Sequence, residues 1–74
     1  MSKTISGREM IKVLCRDFGF SVVSQRGSHV KLQRKFAGKT ITTIVPLHKE
    51  LAPGTVLGVL RLAEVDEEDF LQSR

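Results

Sequence analysis

Three β-rich segments follow one another with only short connections, and no other feature of the sequence constrains the fold as strongly. They cover residues 20–25, 29–35 and 40–45. Turn-forming tripeptides at residues 26–28 and 37–39 separate them, and Pro46 ends the last segment. Because connections this short join antiparallel neighbours, the segments predict an antiparallel three-stranded meander.

The middle segment alternates between apolar and polar residues. Val30 and Leu32 occupy one set of alternate positions, and the other set is His29, Lys31 and Gln33. Since successive side chains of a strand point to opposite faces of its sheet, the two sets lie on different faces. We expect the aliphatic pair to face the core and the polar set to face solvent.

A helical pattern precedes the predicted sheet. Ser6 and Glu9 have the spacing of a capping box, and Ile5 and Met10 have that of a hydrophobic staple. Apolar residues then recur every three or four positions until Gly19, which is a typical residue just past a helix end. A first amphipathic helix is therefore predicted before the strands.

Two further helices are predicted after the sheet. One covers residues 54–64, with Pro53 at its start, and Asp66 can cap a short third helix. A three-stranded sheet needs cover on one face, and helices at both ends of the chain can provide it. The sequence thus predicts one α+β domain over residues 1–74, with the order α-β-β-β-α, a short helical tail, and the helices on one face.

Cysteine usage and hydropathy exclude several classes of protein. Cys15 is the only cysteine of 74 residues, so an internal disulfide is excluded, and the paired Cys/His spacings of a zinc site are absent. Its place on the apolar helix stripe indicates a core residue rather than a nucleophile. No apolar stretch is long enough for a signal peptide or a membrane span. We expect a cytoplasmic protein that needs no metal or cofactor; its oligomeric state is left open.

Basic residues are concentrated in the first 63 positions. The chain carries 12 Lys and Arg and 8 Asp and Glu, a net charge of +4. Five of the acids lie between residues 64 and 69, so residues 1–63 hold eleven basic and three acidic residues, a net of +8. Arg26 to Lys49 contains six basic residues and no acid. Such a stretch favours a polyanion such as nucleic acid; the alternative is a solvated surface that only keeps the protein soluble.

His29 is the first candidate for chemistry. Imidazole can accept or donate a proton near neutral pH. Cleavage of RNA by its own 2′-hydroxyl needs a proton removed there and another supplied to the leaving 5′-oxygen. Nearby cations such as Arg26 and Lys31 can stabilise the negative charge that develops on the phosphoryl group. The alternative interpretation is an ordinary exposed strand histidine.

The remaining polar and aromatic candidates are weaker. His48, in the loop after the third segment, can act as a second acid or base, bind phosphate, or hydrogen-bond a loop carbonyl, and the last interpretation is favoured. The acids at 67–69 are interpreted as stabilising a helix N-terminus. Of the four Phe, only Phe36, beside Arg34 and Lys35, is placed to stack on a base.

Four motifs occur in a fixed order along the chain. They are Phe-Gly-Phe at 18–20, Gln-Arg-Gly-Ser-His at 25–29, Val-Pro at 45–46 with His48 two residues later, and Pro-Gly-Thr at 53–55. In this order and length, the chain resembles the HicA toxins, the small ribonuclease partners of bacterial HicA–HicB toxin–antitoxin pairs. The resemblance covers nearly the whole chain.

This resemblance implies a double-stranded-RNA-binding-like fold and an mRNA interferase, an endoribonuclease that cuts mRNA and inhibits translation. It also implies His29, in the Gly-Ser-His motif, as the catalytic residue, and a HicB-like antitoxin that covers the active surface. Many members have a second histidine directly after the first, where this chain has Val30. Because Val30 is predicted to face the core, we expect activity to survive this difference.

The leading hypothesis is therefore a metal-independent endoribonuclease toxin in which His29 is the general base or acid. The residues predicted to bind RNA are Arg26, Gly27, Ser28, Lys31 and Lys35, with His48 as a secondary candidate. One alternative is a module that binds structured RNA by shape and cuts nothing. Another is an interaction protein whose basic face serves only an acidic antitoxin.

Overall fold

A computed structural model, which describes residues 4–74, contains three helices and three strands. In chain order they are α1 (Gly7–Asp17), β1 (Ser21–Arg26), β2 (His29–Phe36), β3 (Lys39–Pro46), α2 (Pro53–Ala63) and α3 (Glu67–Ser73). The predicted α-β-β-β-α order and the short helical tail are confirmed. The prediction that the domain includes residues 1–3 concerns positions outside the described range.

The sheet is an antiparallel meander in the strand order β1-β2-β3. Residues 27–28 and 37–38 form its two hairpin turns, because Arg26 pairs with His29 and Phe36 pairs with Lys39. Gly27 has a φ of +58°, a left-handed conformation in which glycine is not strained. The second turn is less well matched to its residues, since Ala37 adopts a φ of +52°.

The hydrophobic core lies between the sheet and the helices. Val30 and Leu32 are buried in it, as predicted, and Lys31 between them is exposed. The largest fully buried apolar side chains are Met10, Leu14, Leu32, Val45, Leu60 and Phe70, which come from α1, the sheet, α2 and α3. The helices therefore cover one face of the sheet and leave the other open.

A buried hydrogen bond fixes α2 beside β3. Thr43 is fully buried, and its Oγ1 donates to the backbone carbonyl of Val59 at 2.8 Å. Val59, Leu60 and Ala63 form the buried side of α2. Leu57, another apolar residue of this helix, is exposed instead. Because β3 is an edge strand, α2 lies along one edge of the sheet.

The predicted N-terminal cap of α1 forms only in part. The Ser6 side chain accepts a hydrogen bond from the Glu9 amide at 3.0 Å, as a capping box requires. The Glu9 carboxylate, however, accepts from Arg74 Nε at 3.0 Å. Arg74 also donates to the Thr4 carbonyl. The capping carboxylate is thus used to hold the end of the chain against the start of α1.

Gly7 allows the loop after β3 to approach the start of α1. Its amide donates to the His48 carbonyl at 2.9 Å, and a Cβ at this position would overlap the carbonyl oxygen of Pro46. The predicted cap of α3 also forms, because Asp66 accepts from the Glu68 amide at 2.8 Å. None of the helices in residues 4–74 has the length and apolar character to span a bilayer.

β1 is the other edge strand, and all of its residues are exposed. Its pairing with β2 shifts between Val22 and Ser24, so Val23 forms a bulge. Val22 and Val23 are each about half exposed.

Candidate active site

His29 is the first residue of β2 and lies on the open face of the sheet. It pairs with Arg26 on β1 and with Pro46 on β3, so both neighbouring strands hold its backbone. Its side chain is exposed, whereas that of Val30 is 4 % exposed. The structure therefore agrees with the alternation predicted for this strand, and Val30 is not part of the open face.

Local hydrogen bonds hold the turn before His29. The Gln25 side-chain amide donates to the Gly27 carbonyl at 2.9 Å. The Leu47 amide donates to the Ser28 carbonyl at 2.7 Å, which ties the turn to the end of β3. Gly27 and Ser28 are both exposed. Their backbone contribution is thus to fix the position at which His29 enters the sheet.

A basic depression lies on one side of His29. Its lining residues are Ser24, Arg26, His29, Lys31 and Ile44. Ser24 and Lys31 pair across β1 and β2, and Arg26 pairs with His29, so the sheet register brings these side chains together. This depression unites three of the predicted site residues, Arg26, His29 and Lys31. It offers two cations and an imidazole to an anion.

Lys35 is exposed on the same face but lies farther along β2. It is six residues from His29, a distance of about 20 Å along a strand. Lys35 therefore does not line the basic depression. Any contact that it makes with RNA involves a different part of the strand from the one beside His29.

Arg34 and Phe36 have structural contacts that the sequence did not reveal. The Arg34 guanidinium lies over the rings of Phe20 and Phe36, 5.7 and 5.2 Å from their centroids. Arg34 Nη1 also donates to the Phe18 carbonyl at 3.0 Å, at the end of α1. One ring face of Phe36 is thus occupied by this cation, although 62 % of the residue is exposed. The cation at 34 supports the fold on the covered face of the sheet.

His48 does not join His29 in either of the depressions that flank it. It is exposed in the loop after β3, and its backbone carbonyl accepts from Gly7. The acids at 67–69 occupy the first turn of α3, where they were predicted to stabilise a helix N-terminus. Neither group contributes a side chain to the surroundings of His29.

A second depression, the α2 depression, lies on the other side of His29. It has a volume of about 490 Å³. Its lining is formed by His29, Ile44 and Pro46 of the sheet and by Thr55, Gly58, Val59, Arg61 and Leu62 of α2. The sequence prediction missed this site. Two features of the sequence could have indicated it: a glycine at position 58 inside the predicted helix, and a leucine at position 62 outside its apolar stripe. In the structure Leu62 is 59 % exposed.

The structure supplies little for metal or thiol chemistry. Within residues 4–74, no three His, Cys, Asp or Glu side chains are grouped as metal ligands. Cys15 is half-buried against the core, and this burial raises the pKa of its thiol. A raised pKa lowers the thiolate fraction, which is the reactive form. The interpretation of Cys15 as a packing residue therefore stands.

Comparison with known proteins agrees with this arrangement. A family model described as the HicA toxin of bacterial toxin–antitoxin systems matches residues 7–65, from the start of α1 to just beyond α2. No curated protein matches the chain. The match includes the whole sheet, the turn before His29 and both sides of the α2 depression. The chain belongs to the HicA toxin family and so has the role of a toxin in a toxin–antitoxin pair.

Proposed function

We propose that this toxin is an endoribonuclease that cleaves mRNA, with His29 as its catalytic residue. The observation that carries the proposal is the exposed imidazole of His29 at the meeting point of two depressions, one of which contains Arg26 and Lys31. Among residues 4–74, no acidic side chain lines either depression. A phosphate can therefore approach the imidazole without repulsion from a carboxylate at this site.

The chemistry needs only proton transfer and charge stabilisation, because RNA supplies its own nucleophile. The 2′-oxygen forms a bond to phosphorus as the bond from phosphorus to the 5′-oxygen breaks, giving a 2′,3′-cyclic phosphate and a 5′-hydroxyl. His29 either removes the proton of the 2′-hydroxyl or supplies one to the 5′-oxygen, and water carries out the other of these two transfers. Arg26 and Lys31 bind the phosphate and stabilise its additional negative charge in the transition state.

Besides RNA, the open face of the sheet around His29 binds an antitoxin of the HicB type. A protein that covers His29 must also cover the surrounding cations, so we expect its contact surface to be acidic. The exposed Leu62 beside His29 gives such a partner an apolar anchor. Inhibition then follows from exclusion of RNA from both depressions.

The decisive test compares the parent protein with His29→Ala in the presence of a chelator. We expect the substitution to lower the rate of RNA cleavage by at least about 100-fold, the usual contribution of a general acid or base. His48→Ala is the matched control and should retain most of the activity. Circular dichroism checks that both variants are folded, and the absence of growth arrest on expression provides a cellular readout.

Equal cleavage by His29→Ala and the parent protein would disprove the assignment. Salt-sensitive RNA binding by a parent protein that cuts nothing would instead indicate a non-catalytic RNA-binding module. Antitoxin binding without any affinity for RNA would indicate a protein-interaction role alone.

A further inference from the structure

Gly58 is the feature of the α2 depression that packing does not explain. It lies in the interior of α2, where glycine costs about 1 kcal/mol relative to alanine. Apart from its chain neighbours and the backbone of its own helix, no atom of residues 4–74 would lie within 4 Å of a Cβ at this position, so no packed group requires a glycine there. The missing side chain leaves the wall of the depression open beside His29. This arrangement is expected where a ligand approaches the helix closely.

The chemistry of the two depressions differs, although they share His29 and Ile44. The basic depression offers cations to a phosphate. The wall of the α2 depression is largely apolar, with Ile44, Pro46 and Leu62, and Arg61 is its cation. Apolar surfaces with a few polar groups, here His29, Thr55 and Arg61, suit the flat face and the hydrogen-bonding edge of a nucleobase. A nucleotide bound across His29 would thus meet matching chemistry on both sides.

We propose that the α2 depression binds the base of the nucleotide next to the scissile phosphate, with Gly58 and Leu62 contacting the base and Arg61 its edge or the adjoining phosphate. This inference rests on the proposed function, since it takes His29 as the position of the phosphate. A base in the depression cannot remain stacked and paired in a duplex. The site therefore selects RNA that is single-stranded at the cut.

The test is a binding measurement on the complete protein with an oligonucleotide that cannot be cut. A mixed-sequence 2′-fluoro oligoribonucleotide lacks the attacking hydroxyl, and its duplex serves as the second ligand. Gly58→Leu places a side chain in the depression, and Gly54→Leu is the matched control. Gly54 is also in α2, and a Cβ there would likewise meet no packed group within the described residues, but Gly54 does not line the depression.

We expect Gly58→Leu to weaken single-strand binding by about 10-fold, which corresponds to the loss of one stacked base. Gly54→Leu should change it by less than about twofold, and duplex affinity should be the same for both variants. A second pair covers the case in which Gly58→Leu folds poorly. Leu62→Ser should weaken single-strand binding. Leu71→Ser, on α3 and outside the depression, should not, although Leu71 is 54 % exposed against 59 % for Leu62.

Three results would overturn the inference. The first is that neither matched pair differs in its affinity for the single strand. In that case Gly58→Leu binds it as well as Gly54→Leu, and Leu62→Ser binds it as well as Leu71→Ser. The second is an equal loss of single-strand and duplex binding in Gly58→Leu. The third is a loss of antitoxin binding alone, which would assign the depression to the protein partner. Since the ligand is uncleavable, each result is independent of whether His29 is the catalytic residue.

Discussion

The two faces of β2 are formed by alternate residues of one strand, but one face packs in the core and the other is available for binding. Leu32 points into the core and is fully buried, whereas Lys31, one position earlier, is exposed beside His29. On the covered face, the free energy of burial determines which residues fit. On the open face, stability places few demands on a residue, so its identity reflects what it binds. The comparison predicts that substitutions on the two faces change different measured quantities.

Arg34 shows that charge alone does not assign a residue to the open face. It belongs to the same strand as Lys31, but its side chain lies among Phe18, Phe20 and Phe36 at the end of the core. Lys31 lines the depression beside His29. One cation thus has structural partners, and the other is available to a phosphate.

The largest effect on stability is expected for Leu32→Ala. Loss of this fully buried side chain should lower the free energy of unfolding by about 3 kcal/mol, because the packed core cannot close the cavity completely. Urea denaturation followed by circular dichroism measures it. The specific cleavage rate of the folded fraction should be unchanged. A loss of activity in fully folded Leu32→Ala would contradict the separation of the two faces.

Arg34→Ala and Lys31→Ala compare a cation packed in the fold with a cation beside His29 on the same strand. Arg34→Ala should lower the free energy of unfolding by about 2 kcal/mol, since it removes a charged hydrogen bond and two ring contacts. Lys31→Ala should change stability by less than about 0.5 kcal/mol. It should reduce the salt dependence of RNA binding by about one unit of slope. If Arg34→Ala reduces that slope as much as Lys31→Ala, both cations contact RNA.

Thr43→Val tests the polar contact within the covered face. It removes the hydrogen bond to Val59 and leaves a side chain of similar shape, so we expect a loss of about 1 kcal/mol in the free energy of unfolding. Because Thr43 lies on the covered face, the single-strand RNA affinity of the folded protein should be unchanged. Thr40→Val, at an exposed position of the same strand, is the control for the substitution itself.

The smallest effect concerns the turn at the far end of β2. Asparagine tolerates the left-handed conformation of Ala37 better than alanine, so Ala37→Asn should stabilise the protein by about 0.5 kcal/mol. Thermal unfolding measures the change. Gly27→Ala, at the turn before His29, should destabilise because it introduces a Cβ at positive φ. A stabilising Gly27→Ala would show that this turn does not require the left-handed conformation.

Local sequence signals predicted most of the fold. The alternation of β2 identified its two faces, and Ser6 and Asp66 identified helix starts, because each signal depends on residues close in the chain. Contacts between distant residues were not predictable in this way. The pairing of Arg74 with Glu9 and the position of α2 at the β3 edge depend on how complete elements pack.

The same limit applies to the candidate site. His29, Arg26 and Lys31 were found because they share one hairpin and follow its pleat. Gly58, Arg61 and Leu62 were missed because they reach His29 through the packing of α2. Arg34 was counted with the available cations, since only the packed structure reveals its contact with Phe18.

The bulge at Val23 has a consequence for how the free toxin avoids self-association. An exposed, regular edge strand is a template on which another chain can add a strand, and runs of valine favour the resulting aggregates. The bulge interrupts the spacing of amides and carbonyls along β1 and bends the strand. We therefore expect this edge to resist the stacking of toxin molecules into fibrils, even when two half-exposed valines face solvent.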